Sequence, residues 1–163
     1  MKTIGSTIIM LALASSLFAD NGKELKLASP DGTHEIVFYQ KQVSPAVNEL
    51  CYRVDYKSQP VVNESRAGLE LDNRIWEMAL GVRNLKQPAC WMDNLEVDSV
   101  TYQPETNLTW QPLYGERSSV RDHYRAGTLC LSKKDNSGYR LNIEVRAYNE
   151  GVAFRYFFPE HPK

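Results

Sequence analysis

The densest group of chemically competent side chains in this 163-residue sequence is the stretch WQPLYGERSSVRDHY, residues 110–124. It carries two carboxylates, Glu116 and Asp122, among arginines, aromatic rings and a histidine. Glycoside hydrolysis requires two carboxyl groups, one to protonate the leaving oxygen and one to attack or to activate water. Glu116 and Asp122 form the one carboxylate pair of this sequence that lies in such surroundings.

The same stretch has the composition of a sugar-binding surface. The C–H face of a pyranose is apolar and packs on aromatic rings, while its hydroxyls need charged or amide partners. Rings come from Trp110, Tyr114 and Tyr124, and polar partners from Arg121 and His123.

A structural role competes with both of these interpretations. Glu116 and Asp122 each have arginine neighbours, at Arg117, Arg121 and Arg125, and such runs usually tie a loop through ion pairs and hydrogen bonds. The sequence favours structural tying or interdomain docking over a catalytic site that is built wholly from this chain.

Other chemistries have less support. His34, His123 and His161 lack the spacing of metal ligands. No nucleophile elbow and no glycine-rich phosphate loop is present. Three cysteines are too few for a disulfide framework, and whether any two of them pair stays open: Cys51, Cys90 and Cys130.

The first nineteen residues are typical of a secretory signal peptide. A basic start at Lys2 is followed by an apolar run over residues 8–13 and by small residues before Asp20. This apolar run is well short of the ~20 residues that a transmembrane helix needs. We therefore expect cleavage after Ala19, a periplasmic or secreted location, and no membrane anchor.

Residues 20–163 are long enough for one domain with its own core. The formal net charge of the whole sequence is −1, with interspersed charges, so no nucleic-acid surface is indicated.

Apolar and polar residues alternate through much of this part, which predicts half-buried β-strands. The alternation is clearest in ELCYRVDYK (49–57), RLNIEVRAY (140–148) and GVAFRYFF (151–158). The last two runs are joined by a short connection with a glycine, which predicts a hairpin over residues 141–158. Shorter candidates are HEIVFY after the turn at residues 30–32, QPVV, GLEL, LEVDSVTY and TLCLSK. Roughly eight strands without a helical stripe predict an all-β antiparallel sandwich.

Four motifs then occur in a specific order. They are ASPDG (28–32), GLEL (68–71), TWQPLYGERSSVRDHY (109–124) and RLNIEVRAYNEGVAFRYFFPE (140–160). Together they resemble the amino-terminal domain of glycoside hydrolase family 97, the periplasmic α-glucosidases and α-galactosidases of Bacteroidetes. The resemblance covers essentially all of residues 20–163.

This resemblance implies a β-super-sandwich similar to galactose mutarotase. In full-length members it is followed by a catalytic (β/α)8 barrel. Those enzymes depend on calcium, and the general acid and most calcium ligands lie in the barrel. This sequence stops at FFPEHPK, where relatives continue. We therefore expect a sandwich that is incomplete at its carboxyl end, and an inactive chain with no cofactor or metal site of its own.

The sequence thus predicts a non-catalytic, carbohydrate-binding-type domain of an exported α-glycosidase that acts on α-linked oligosaccharides. The residues expected to bind substrate or to face the barrel are Trp110, Glu116, Arg121, Asp122, His123 and Tyr124. One alternative is a free-standing carbohydrate-binding module. A less favoured one is a mutarotase-like enzyme that uses His123 with Glu116.

Overall fold

The computed structural model describes residues 23–45, 47–81, 90–134 and 138–159. The predicted signal peptide and His161 lie outside these residues. The elements are β1 (Glu24–Ala28), β2 (His34–Ser44), β3 (Val47–Tyr56), β4 (Gln59–Arg66), α1 (Asn73–Leu80), β5 (Leu95–Trp110), β6 (Val120–Lys133), β7 (Arg140–Tyr148) and β8 (Gly151–Phe157).

The strands form two four-stranded antiparallel sheets, in the orders β1-β2-β3-β4 and β5-β6-β7-β8. Within each sheet, strands that are consecutive in sequence therefore pair with each other. The predicted hairpin over residues 141–158 is confirmed, because β7 pairs with β8 from Asn142↔Phe157 to Tyr148↔Gly151. Among the described residues, no helix is both long and apolar enough to cross a membrane.

The core lies between the two sheets and follows the predicted alternation. In β7 the side chains of Leu141, Ile143, Val145 and Ala147 are buried, and the residues between them are not. Opposite them, β1 and β2 bury their own alternate residues: Leu25, Leu27, Ile36 and Phe38. Each large apolar side chain buried in this way contributes roughly 1.5–3 kcal/mol. The predicted all-β antiparallel sandwich is confirmed.

Aromatic rings join the two sheets where partly buried Tyr52 and Phe154 pack against this core. The Phe38 ring of the first sheet meets the Phe154 ring of β8 edge to face, with centroids 5.2 Å apart. Tyr52 of β3 contacts both rings, at centroid distances of 5.5 and 5.3 Å. Edge-to-face and offset contacts of this kind add about 0.5–1.5 kcal/mol to the burial of the rings.

One local prediction was wrong, and two elements were missed. GLEL is not a strand; it forms one isolated bridge, Glu70↔Cys90. The hydrogen bond of this bridge runs from the Trp91 amide to the Leu69 carbonyl oxygen at 2.8 Å. β1 was not predicted as a strand, although it buries Leu25 and Leu27. Helix α1 was also missed, since its eight residues are too few to show a helical period.

Strands β5 and β6 are longer than LEVDSVTY and TLCLSK suggested, with 16 and 14 residues. The stretch 110–124 is therefore not one loop. Its first residue ends β5, and residues 120–124 begin β6. Only residues 111–119 connect the strands.

A substitution at Gly68 tests how tightly the segment after β4 is packed. Its φ is +147°, and a Cβ there would lie 2.4 Å from the Trp91 carbonyl oxygen and 2.8 Å from Met92 Cα. We expect Gly68→Ala to lower the free energy of unfolding by about 2–5 kcal/mol, because backbone strain and collision add. Urea unfolding of both proteins measures the difference.

Gly32→Ala is the matched control, since Gly32 has a φ of +73° but no atom within 4 Å of the added Cβ. Only backbone strain contributes there, and it should lower the free energy of unfolding by about 1–3 kcal/mol. Equal losses at both positions would contradict the close approach of the two segments at Gly68.

Candidate functional site

The register of the β5–β6 hairpin assigns the predicted site residues to opposite faces. Arg121 pairs with Thr109, His123 with Asn107, and Asp122 with Leu108. Cross-strand partners share a face, and successive residues of a strand alternate between faces. Arg121 and His123 therefore lie on the face that continues the core. Asp122, Tyr124 and Trp110 lie on the opposite face, and Glu116 lies in the connection.

The face that continues the core carries a network around Glu105. One Glu105 oxygen contacts His123 Nε2 at 2.7 Å, and the other accepts from Arg125 Nε at 2.9 Å. One step further along the hairpin, Arg121 Nε donates to Asn107 Oδ1 at 3.0 Å. These contacts link β5 to β6 where no second sheet covers them.

The hydrogen bonds from His123 and Arg125 lower the pKa of Glu105 below its ordinary value of 4.5. The carboxylate is therefore ionised near neutral pH and can only accept hydrogen bonds, so His123 Nε2 carries the proton. The other ring nitrogen, Nδ1, is buried and has no hydrogen-bond partner among the described residues.

Arg125 also connects this network to the turn that precedes β2. Its Nη2 reaches the Pro30 carbonyl oxygen at 3.5 Å. Within that turn Asp31 Oδ1 accepts from Ser29 Oγ at 2.6 Å and from the Thr33 amide at 3.0 Å. These bonds lower the Asp31 pKa to about 2. The Asp31 amide donates to Asn149 Oδ1 at 3.1 Å, so the turn is also bonded to the β7–β8 hairpin.

Tyr124, on the opposite face, belongs to an aromatic cluster with β7. Its ring centroid lies 5.1 Å from that of Tyr148, and the Arg146 guanidinium lies 4.4 Å from the Tyr124 centroid. Arg146 Nη1 also donates to the Tyr148 hydroxyl at 3.4 Å. Neither Arg146 nor Tyr148 was singled out from the sequence.

The connection between β5 and β6 is highly exposed. Leu113 is 99% exposed and Tyr114 90%, and Trp110 at the end of β5 is 53% exposed. Glu116 is also exposed, and it makes no hydrogen bond or ion pair with any described residue. The structure therefore pairs His123 with Glu105 and not with Glu116.

The described part of the chain brings together no group of three or more His, Cys, Asp or Glu side chains that could hold a metal ion. The described residues on their own therefore do not fit a calcium site. The three cysteines are free thiols, and burial raises the pKa of Cys51.

Fold and site together define an antiparallel β-sandwich domain whose longest hairpin carries a polar network and an exposed apolar end. The family model described as "Glycosyl-hydrolase 97 N-terminal" matches residues 27–163. The chain belongs to this family, as the sequence motifs predicted.

Individual relatives agree with this assignment. A retaining alpha-galactosidase of Bacteroides thetaiotaomicron is 26% identical over 150 residues, which are 92% of this chain and 19% of the relative. A glycoside hydrolase family 97 enzyme of Pseudoalteromonas sp. strain K8, solved in complex with panose and with acarbose, is 27% identical with a TM-score of 0.67. That match covers 84% of this chain and 18% of the enzyme. The chain thus spans about a fifth of these relatives' length.

The Glu105 network predicts a specific dependence of the melting temperature on pH. A carboxylate whose pKa is lowered by folding stabilises the protein above its unfolded pKa, and this contribution is lost as the pH falls through the folded pKa. We expect the melting temperature of the wild type to exceed that of Glu105→Gln above about pH 4.5, the ordinary value. The difference should shrink as the pH falls below this value.

Thermal melts between about pH 3 and pH 7 test this expectation, because they span the ordinary carboxyl pKa. Glu96→Gln is the control, since Glu96 is an exposed carboxylate on the same strand. A difference between Glu105→Gln and the wild type that does not change with pH would show that the network does not stabilise the ionised Glu105.

Proposed function

We propose that this chain is the amino-terminal sandwich domain of an exported α-glycosidase that acts on α-linked oligosaccharides. Membership of family 97 supports this proposal. So do the printed names of two relatives: one is an alpha-galactosidase, and the other was solved with panose and acarbose. The choice between α-glucosides and α-galactosides as substrates stays open.

We propose further that the domain supports catalysis without performing it. One observation carries this step: Glu105, His123 and Arg125 contact one another, and the connection of the hairpin presents large apolar side chains to solvent. Leu113 and Tyr114 are almost fully exposed, next to Trp110. Exposed apolar patches of this kind mark interaction surfaces. The partner that the family implies is the catalytic (β/α)8 barrel, normally part of the same polypeptide.

Two further parts of the proposal concern export of the protein and the position of the calcium ligands. The basic start and short apolar run of residues 1–19 support a leader that directs the protein to the periplasm or the medium. Calcium, where the full-length enzyme needs it, is proposed to bind to ligands that are mainly in the barrel.

Hydrolysis assays test the non-catalytic role. We expect the purified chain not to hydrolyse p-nitrophenyl α-glucoside or α-galactoside, with or without calcium, because the family implies a general acid in the catalytic barrel. Turnover above the buffer blank that disappears in Glu116→Gln would overturn this role. Fusion to the catalytic part of a family member serves as the positive control.

The docking role of the hairpin is testable in the same fusion protein. The Arg121–Asn107 bond is exposed in the isolated domain, where such a pair contributes only ~0–1 kcal/mol. If the barrel covers this face, Arg121→Ala leaves the Asn107 amide oxygen buried without its donor and costs about 1–3 kcal/mol. We expect lower activity and a lower melting temperature in the fusion, and little change in the isolated domain.

Arg53→Ala is the matched control, because Arg53 also donates its Nε to one surface side chain, the Asp55 carboxylate on the first sheet. Equal effects of the two substitutions in the fusion protein would show that the hairpin lies on an ordinary solvated surface.

A further inference from the structure

The outer face of the second sheet, which turns away from the first sheet, contains a shallow depression of about 280 Å³. It lies across β7 and β8, beside the Tyr124 ring of β6 and away from the hairpin connection. Its lining is formed by Glu144, Arg146, Tyr148, Ala153, Phe154 and Arg155.

One side of the depression is a preorganised group of flat side chains. Tyr124 and Tyr148 are cross-strand partners with their rings in contact, and Arg146 stacks on the Tyr124 ring. Both rings are half-buried, so their positions are held by the sheet. Arg146 is exposed and has no carboxylate within ion-pair distance among the described residues. Most of its five N–H donors are therefore available to a ligand.

The opposite side of the depression carries an ion pair between Arg155 and Glu144, whose two charges cancel. Arg155 Nε donates to Glu144 Oε2 at 2.6 Å, and the pair leaves carboxylate lone pairs free to accept. Glu144, together with Asp122 on the same face, disfavours an anionic ligand. The floor between the two sides includes the small side chain of Ala153. Donors, acceptors and an apolar surface thus meet in one shallow site, where Glu144 offsets the charge of Arg155 and Arg146 keeps its own.

We propose that this depression is a surface binding site for a neutral oligosaccharide, separate from the exposed end of the β5–β6 hairpin. Arg146 and the Tyr148 hydroxyl bond to sugar hydroxyls, Glu144 accepts from them, and the Tyr148 ring packs on a pyranose C–H face. The restriction to α-linked sugars rests on the proposed function. The site would hold part of a longer substrate on the domain without taking part in hydrolysis.

Titration calorimetry with maltotriose, panose and raffinose tests the site on the purified chain. A shallow, solvent-exposed site of this size predicts a Kd of the order of 1 mM. We expect Arg146→Ala and Tyr148→Ala each to weaken binding at least about tenfold, a loss of about 1.4 kcal/mol. Trp110→Ala, at the end of the hairpin, should leave the affinity unchanged.

A second variant covers the case in which either alanine variant fails to fold. Ala153 is exposed on β8 opposite Arg146, so Ala153→Ile fills the depression without removing a contact. Isoleucine also suits a strand. We expect Ala153→Ile to keep the wild-type melting temperature and to lose binding. Retained affinity in this folded variant would overturn the proposal.

Further outcomes separate the site from the proposed function. Saturable binding that only Trp110→Ala removes would overturn the proposal in favour of the hairpin. Absence of binding at about 10 mM sugar, or binding of phosphate instead, would also overturn it. Binding of cellobiose and lactose but not of the α-linked sugars would confirm the site and contradict the α-glycosidase assignment. Hydrolysis by the fusion protein is measured separately and does not depend on this site.

Discussion

The fold depends on the burial of two sheet faces against each other, which includes the contact between Phe38 of β2 and Phe154 of β8. Single sheets of four strands cannot exclude water from an apolar face on their own. Pairing in sequence order makes each sheet from local hairpins, but only the face-to-face packing of the two sheets supplies long-range apolar burial. Strand order, the positions of the turns and the direction of the β5–β6 hairpin all follow from that packing.

The boundary of this packed region can be followed along one face of β6. Leu131 and Leu129 are fully buried, and at Gly127 an added Cβ would lie 3.2 Å from the Leu25 side chain of β1. Beyond Gly127 the same face carries only polar residues, beginning with Arg125 and His123. The change from leucine to charged residues marks the point where the first sheet no longer covers the second. The Glu105 network replaces apolar packing there as the interaction that orders the hairpin.

This change also explains what could be predicted from the sequence. β7 is covered along its whole length, so its alternation is complete and its strand and hairpin were predicted correctly. β5 is largely exposed and has register shifts at 97/99 and 103/106, so its pattern loses the period of two. The sequence also did not show that β6 begins at Val120, so it could not show that Arg121 and Asp122 lie on opposite faces. Glu105 was missed because it lies within the second shift, between Gln103 and Thr106, where the period of two does not assign a residue to a face.

The electrostatics of the hairpin decide what its carboxylates can do. A general acid of a glycosidase needs a raised pKa, which comes from burial or from a neighbouring negative charge. Glu105 has the opposite environment, because His123 and Arg125 bond to its ionised form and lower its pKa. A carboxylate held in this way positions two strands and keeps its charge, so it cannot deliver a proton near neutral pH. The Glu105 carboxylate is therefore suited to holding the two strands together and not to the role of a general acid.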